Sequence, residues 1–472
     1  MTQLLQPTLL PTESWADILS GIELLSQEHS SKTTASEKRS TGQIFTPLPM
    51  ARQLISLIKN FGHAKSCYAD PGTGTGILSA ALLARHGKES TTPPKSLTAF
   101  ETDTRLHASW GQNFADIGSK LGMGYGSCKL NSDFYKEARS ILENGKPSNS
   151  VKATRIVTNP PYLKLGANEP LSLLLKEYGI YVPNHYAAFI ALSALWLKDD
   201  GELLAIIPRS FFNGAYFKRF RNWLSSFMSI EHIVAYRSRS NFGRNVLQEN
   251  ICLSLRKRQQ RPTIRISFCE HAEAAPLHDL VVPKSQILGD LWLLPSTPLQ
   301  LAALQDNATQ PHTLNSLGLV VKTGAVEVHR QQCTDSSSVK VLYSRDFNAV
   351  GDITWGETKK PRYFALDRAV SLLPDDGRGY VVIKRITAND GDKNRIMPVW
   401  ISQETTFEKR IGFDNHVQVF SFNGEPMSKE SGLKLVEFLR SKEANFCMSS
   451  ISGTTQINID DLKALNYPPL GD

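Results

Sequence analysis

No stretch of this chain approaches the ~18 consecutive apolar residues of a membrane span. Near its start, Gln3, Gln6, Thr8 and Glu13 interrupt the leucines, so no basic region followed by an apolar block forms a secretion signal. A soluble, cytoplasmic protein is expected, with no membrane partner. Cysteine is scarce: Cys67, Cys128, Cys252, Cys269, Cys333 and Cys447 form no C-x-x-C pair and have no histidine pattern beside them. That scatter argues against structural zinc and against a disulfide framework, and no metal is expected. No repeat period is visible. The 472 residues, 41% of them hydrophobic, are enough for two cores.

Excess positive charge is modest overall, a formal +8, but it is unevenly spread. Between Arg209 and Arg261 the bases are Arg209, Lys218, Arg219, Arg221, Arg237, Arg239, Arg244, Arg256, Lys257, Arg258 and Arg261, against the acids Glu231 and Glu249 only. Phe211, Phe212, Tyr216, Phe217, Phe220, Trp223, Tyr236 and Phe242 are interleaved with them. The segment reads as a surface that grips phosphate beside extruded bases.

The strand-like Ser66-Cys67-Tyr68-Ala69 runs into Asp70-Pro71-Gly72-Thr73-Gly74-Thr75-Gly76 and then a helix-like apolar run from Ile77. Glycines let the backbone bend sharply against a ligand, and a helix N-terminus favours an anion. The spacing G-x-G-x-G is not the dinucleotide fingerprint. Ile77 and Leu78 stand where a P-loop needs Lys and Ser or Thr. A loop serving another nucleoside-like cofactor remains. The next apolar strand, Leu97-Thr98-Ala99-Phe100, delivers Glu101, suited to ribose hydroxyls, with Asp103 close behind. A third strand end offers Asp133 and Phe134, an acid and a ring suited to adenine.

Ile156-Val157-Thr158 then leads into Asn159-Pro160-Pro161-Tyr162. This turn suits chemistry on a planar amino group, whose lone pair is delocalised and whose two N–H bonds need acceptors. The Asn159 side-chain oxygen is one acceptor, the Pro160 carbonyl on its proline-locked backbone the other, and Tyr162 offers a ring face. A plain Asn-Pro-Pro turn closing a strand is the alternative.

In this order the segments resemble the gamma-class, adenine-N6 DNA methyltransferases that use S-adenosylmethionine and serve as modification enzymes of type II restriction systems. The resemblance rests on Thr41-Gly42-Gln43-Ile44-Phe45-Thr46-Pro47, the Asp70 to Gly76 loop, Phe100-Glu101-Thr102-Asp103, Asp133-Phe134, Asn159-Pro160-Pro161-Tyr162, and Asn241-Phe242-Gly243-Arg244 continuing to Asn250. Gly379-Tyr380-Val381-Val382-Ile383-Lys384-Arg385 and Ser452-Gly453-Thr454-Thr455-Gln456-Ile457-Asn458 are similar to segments of such enzymes' recognition domains.

The resemblance implies an α/β, Rossmann-like class I S-adenosylmethionine-dependent methyltransferase domain followed by an α+β target-recognition domain. Its cofactor would meet Thr46, Asp70, Gly72, Gly74, Gly76, Glu101, Asp133 and Phe134. Residues 159–162 would be catalytic, and Tyr162 with Phe242 would stack on a flipped base. Arg244, Lys384, Arg385, Thr455 and Gln456 would contact double-stranded DNA, as would Lys393 and Arg395. A cognate restriction endonuclease is the implied partner, and a nucleoid-associated bacterial enzyme the implied setting. An RNA base methyltransferase and a protein-glutamine N-methyltransferase share the catalytic turn and stay open. His185 falls where the family has a further motif, often with an acid at Asn184; a helix N-cap is the preferred reading of Asn184.

The expected divisions are an N-terminal helical cap and loose connection over residues 1–40, a catalytic domain over 41–260, a linker over 261–291, and a recognition domain over 292–472.

Overall fold

The computed structural model describes residues 14–61, 66–238, 249–327, 339–355, 360–364, 369–387, 394–453 and 455–471. The chain divides into two units, Met1–Asp290 and Leu291–Asp472.

The first unit is built on one nine-stranded sheet. Its strands are β1 (Cys67–Pro71), β2 (Ser96–Phe100), β3 (Cys128–Asn131), β4 (Ala153–Thr158), β5 (Leu197–Pro208), β6 (Ser229–Tyr236), β7 (Asn250–Arg256), β8 (Thr263–Cys269) and β9 (Pro276–Pro283). Their order is β3-β2-β1-β4-β5-β7-β6-β8-β9. The first five run parallel, and β7 enters antiparallel to both β5 and β6. Parallel strands are covered on both faces and so need continuous apolar runs; all five residues of β1 are buried, as are Ile156, Val157 and Thr158 of β4. From β1 the chain proceeds outward to β2 and β3, then returns to β4 on the other side. The crevice at the carboxyl ends of β1 and β4 is therefore a topological switch point, where open α/β sheets bind ligands.

The N-terminal residues belong to this same unit. Helix Trp15–Lys32 opens on a capping box between Ser14 and Asp17 and buries Ile18, Leu19 and Ile22 in the core shared with the sheet, each worth roughly 1.5–3 kcal/mol. The expected loose connection is instead a second helix, Ala35–Thr41, started by a Thr34–Glu37 capping box and ended by Gly42 in the left-handed region. The Thr-x-x-Glu spacing carries that start signal, and the Ser/Thr-rich composition hides it.

The expected linker over 261–291 is also different in the structure. β8 pairs parallel with β6, and β9 antiparallel with β8, so these residues extend the sheet. Ile264 and Ile266 are buried on either side of exposed Arg265, a period-2 pattern too short to stand out. The polar run Lys257 to Pro262 connects two strands of the sheet rather than two domains.

The second unit holds two four-stranded sheets. One has the order β10-β17-β14-β15 and the other β12-β11-β16-β13, from β10 (Leu319–Thr323), β11 (Val339–Leu342), β12 (Tyr363–Phe364), β13 (Val370–Leu372), β14 (Gly379–Lys384), β15 (Pro398–Ser402), β16 (Arg410–Phe413) and β17 (Val417–Phe422). Helices Pro298–Ala308, Lys429–Arg440 and Lys442–Ile451 share an apolar core with the first sheet.

Among the described residues no helix is long and apolar enough to cross a membrane, and no group of three or more His, Cys, Asp or Glu side chains is placed to hold a metal.

Candidate active site

At the switch point the first unit contains a cavity of about 460 Å³. Four strand ends reach it. β1 supplies Gly72 and Gly74, β2 Glu101, β3 Asp133 and Phe134, and β4 Asn159 and Pro161, while residues 41–46 close it from the N-terminal side. Eight residues expected at the site from the sequence, Thr46, Gly72, Gly74, Glu101, Asp133, Phe134, Asn159 and Pro161, thus line one space.

The glycine loop is held open by its own bonds. Gly74 has φ +59°, and a Cβ there would meet the Phe45 ring at 3.3 Å; only glycine allows both the turn and that approach. Its N–H donates to Glu101 Oε2 at 2.8 Å, while the Asp103 N–H donates to Oε1 at 2.8 Å. Burial pushes the Glu101 carboxyl above the usual glutamate range, opposed by those N–H donors. Each oxygen keeps a further lone pair toward the cavity, so Glu101 both shapes the loop and remains an acceptor.

Asp70 and Gly76 stand behind the loop rather than at the cavity. Asp70 is fully buried, and its Oδ2 accepts the hydroxyls of Thr73 and Ser79 at 2.8 and 2.6 Å. Among the described residues its Oδ1 has no partner, and burial lifts the carboxyl to about 7. The expected direct cofactor contact is therefore replaced by an internal one: the side chain ties the loop to the helix Ile77–Glu89. Gly76 caps that helix with φ +91°, and a Cβ would lie 2.4 Å from Phe114.

The turn over residues 159–162 is wired to the N-terminal wall. Asn159 Nδ2 donates to the Ile44 carbonyl at 3.1 Å and to Thr46 Oγ1 at 2.9 Å. A carbonyl only accepts, so this fixes which end of the amide is oxygen. That oxygen accepts the Tyr162 hydroxyl at 2.9 Å, and the phenol also lies 3.3 Å from the Ile206 carbonyl. Burial raises the Tyr162 phenol well above its ordinary value, so it stays a donor. Pro160 and Tyr162 do not line the cavity. Among the described residues no donor reaches the Pro160 carbonyl.

Several site groups carry little or no local sequence signal. Ser26 meets Thr75 hydroxyl to hydroxyl at 2.5 Å. His29 meets Asp103 at 2.9 Å and packs edge-on against Phe45. Bonding to Arg105 holds Asp103 down at about 2. These partners lie 49 and 74 residues apart, so no periodicity reveals them. Tyr135, His185 and Phe189 also line the cavity, with the Tyr135 hydroxyl 2.7 Å from His185 Nδ1. Asn184 is a helix N-cap, accepting the Ala187 N–H at 3.0 Å; the Asn-x-x-Ala spacing before an apolar run signals it.

The cationic segment differs most from its sequence reading. Arg209 pairs with Glu249, Lys218 with Asp290, Arg237 with Glu270, Arg256 with Asp200 and Glu202, and Arg258 and Arg261 with Glu231. Lys257 donates to the Leu195 and Leu197 carbonyls. Arg221 is fully buried and donates to the Phe211, Gly214 and Asp290 carbonyls. Counting acids only within the segment missed Asp200, Glu202, Glu270 and Asp290, which folding brings alongside. Among the described residues, Arg219 is the cation of this segment left without an acid or carbonyl. Phe211, Phe212, Phe217, Phe220 and Tyr236 are core, whereas Tyr216 is 86% exposed. Phe242, Arg239 and Arg244 lie outside the described residues.

In the second unit the two recognition-like segments meet. The Ile457 N–H donates to the Arg385 carbonyl, the Thr387 N–H to that of Thr455, and Ile386 bridges Gln456. Thr455 and Gln456 are exposed, and Lys384 and Arg385 are half-buried. Arg395, expected to contact DNA, is instead buried and donates to Thr387, Thr455 and Gln456 backbone carbonyls. Lys393 lies outside the described residues.

The donor set fits S-adenosylmethionine: a left-handed glycine loop at a helix start for its amino-acid end, a buried carboxylate for its ribose, and Asp133 beside buried aromatic rings for its adenine.

The family model of the Eco57I restriction-modification methylases matches residues 99–242. The type II methyltransferase M.PstI of Providencia stuartii is 33% identical, with 72% of this chain and 69% of that protein covered. M.BsuBI of Bacillus subtilis, also a type II methyltransferase, is 27% identical, with 91% of this chain and 88% of that protein covered. In fold, the chain is similar to the cryo-EM structure of the DrdV–DNA complex, with a TM-score of 0.50, 15% identity, and coverage of 92% of this chain and 56% of that one.

Proposed function

The chain belongs to the type II restriction-modification methyltransferases, and from this we propose that it methylates N6 of an adenine flipped out of duplex DNA, as the modification partner of a restriction endonuclease. S-adenosylmethionine is its cofactor and supplies the methyl group.

The observation that carries methyl transfer to a planar amino group is the orientation of Asn159, and the motif resemblance makes that group an adenine's. With Nδ2 committed to Ile44 and Thr46, the amide oxygen has one lone pair for Tyr162 and a second for a substrate N–H. The Pro160 carbonyl supplies the other acceptor. Two acceptors on one NH2 group draw its nitrogen out of conjugation and make it nucleophilic, and their preorganisation is what lowers the barrier. Tyr162 would support one face of the base, and Phe242 the other. Because Asn159 bonds to Thr46 on the cavity wall, the amine-holding group and the cofactor-holding wall are positioned by the same contact. In the second unit, the edge carrying Lys384, Arg385, Thr455 and Gln456 is the candidate for reading target bases and phosphates.

Incubating the purified protein with labelled S-adenosylmethionine and, separately, duplex DNA, structured RNA and a glutamine-containing release-factor loop tests this choice of substrate. Label in duplex DNA, recovered as N6-methyladenosine of the deoxy series, is expected. Label only in RNA or in the peptide would replace the reading.

A further inference from the structure

We propose that Tyr216, with Arg219 and Tyr181, forms a stacking platform on the protein surface for a nucleotide next to the flipped adenine in the target strand. This rests on the DNA reading above.

The geometry ties the platform to the catalytic turn by two routes. The residue after Tyr216, Phe217, stacks on Tyr186 with centroids 5.4 Å apart and planes at 15°, and Tyr186 meets Tyr162 edge-on at 6.1 Å. Independently, the Arg219 guanidinium lies 4.5 Å over the Tyr181 ring. Tyr181 leads into a segment locked to the residues following the catalytic turn: Lys164 bridges Asn184, and the His185 N–H donates to the Leu163 carbonyl.

Tyr216 is 86% exposed and Tyr181 41%, while neighbouring aromatic rings of the same segment are core. An exposed aromatic ring offers a stacking face to a base, and an adjoining cation suits its phosphate. Arg219 supplies that charge: it faces no acid among the described residues, whereas the surrounding cations of the segment are neutralised by ion pairs or bonded to carbonyls. The Arg219 guanidinium on the Tyr181 ring, three residues along the chain from Tyr216, offers a cation for the phosphate of a base stacked on Tyr216. Extruding an adenine leaves its neighbours unstacked on one side, and a rigidly mounted tyrosine offers a replacement face.

The test uses the full-length enzyme and a duplex containing the sequence it methylates, with 5-iodouracil placed beside the target adenine. Irradiation and peptide mapping should attach the strand to the peptide bearing Tyr216. Tyr216→Ala should weaken duplex binding about tenfold, the scale of one base–aromatic stack, and Tyr216→Phe should restore it. Arg219→Ala should weaken binding and lessen its salt dependence. S-adenosylmethionine affinity and melting temperature should not change, since the side chain is 86% exposed. If the wild type methylates adenine in this duplex while Tyr216→Ala binds it equally well and cross-links map elsewhere, the platform is overturned and the functional reading stands. If the wild type leaves duplex adenine unmethylated, both fall.

Discussion

The Tyr162 hydroxyl donates a 2.9 Å hydrogen bond to Oδ1 of Asn159, the atom assigned to hold the substrate amine. The ring proposed to support the base thus also steers the acceptor that acts on it. The proposed catalytic amide, the aromatic ring and the cavity wall form one bonded chain, Tyr162 to Asn159 to Thr46.

Tyr162→Phe separates the two roles. The ring stays, the bond to Asn159 goes, and the single-turnover methylation rate should fall by roughly tenfold, the scale of one lost hydrogen bond. The fluorescence of 2-aminopurine at the target position should keep its wild-type rise, because flipping needs only the ring. Loss of that signal in the Phe variant would tie the hydroxyl to base extrusion instead.

Asn159→Asp places a carboxylate oxygen where Nδ2 now meets the Ile44 carbonyl. Acceptor would face acceptor. Methyl transfer should drop by at least about a hundredfold, as for other preorganised polar contacts, and S-adenosylmethionine should bind less tightly because Thr46 loses its donor. Calorimetry showing wild-type cofactor affinity would uncouple the turn from the pocket wall.

Glu101 holds the glycine loop through Gly74 and is the proposed acceptor of the cofactor's ribose hydroxyls. Glu101→Ala should cost about 1.5–3 kcal/mol of cofactor affinity, the scale of a hydrogen bond to a charged group. Glu101→Gln, which keeps an acceptor for Gly74 or Asp103, should cost less. Equal affinities for wild type and Ala would place the ribose contact elsewhere.

Asp70 gives a pH signature. Its carboxyl lies at about 7 in the fold against an ordinary 3.8, so between those values the native state holds a proton that the unfolded chain releases. Stability should therefore decline as pH rises through that window. Asp70→Asn should flatten the decline in denaturant titrations; an unchanged slope would mean that another group carries it.

Motifs at strand ends were legible because the chemistry and the chain reversal share the same residues: Gly74, Glu101, Asp133 and Asn159 each follow an apolar run and converge in space. Properties set by distant partners were not. Helix Trp15–Lys32 braces the cavity-lining Thr75 and Asp103 through Ser26 and His29, pairings no local pattern announces. The bases between Arg209 and Arg261 looked free because their acids come from other strands and loops, and Arg395 looked like a surface cation although three carbonyls enclose it. Short β8 and β9 passed for a linker because period-2 alternation over seven or eight residues resembles irregular chain.

The most direct test of the account is to sequence modified bases in the DNA of a methylation-deficient host expressing the wild-type chain and, in parallel, Asn159→Ala. N6-methyladenine at one defined sequence, present with the wild type and absent with the variant, is the predicted result. Methylated cytosine in its place, or adenine methylation that survives loss of Asn159, would contradict it.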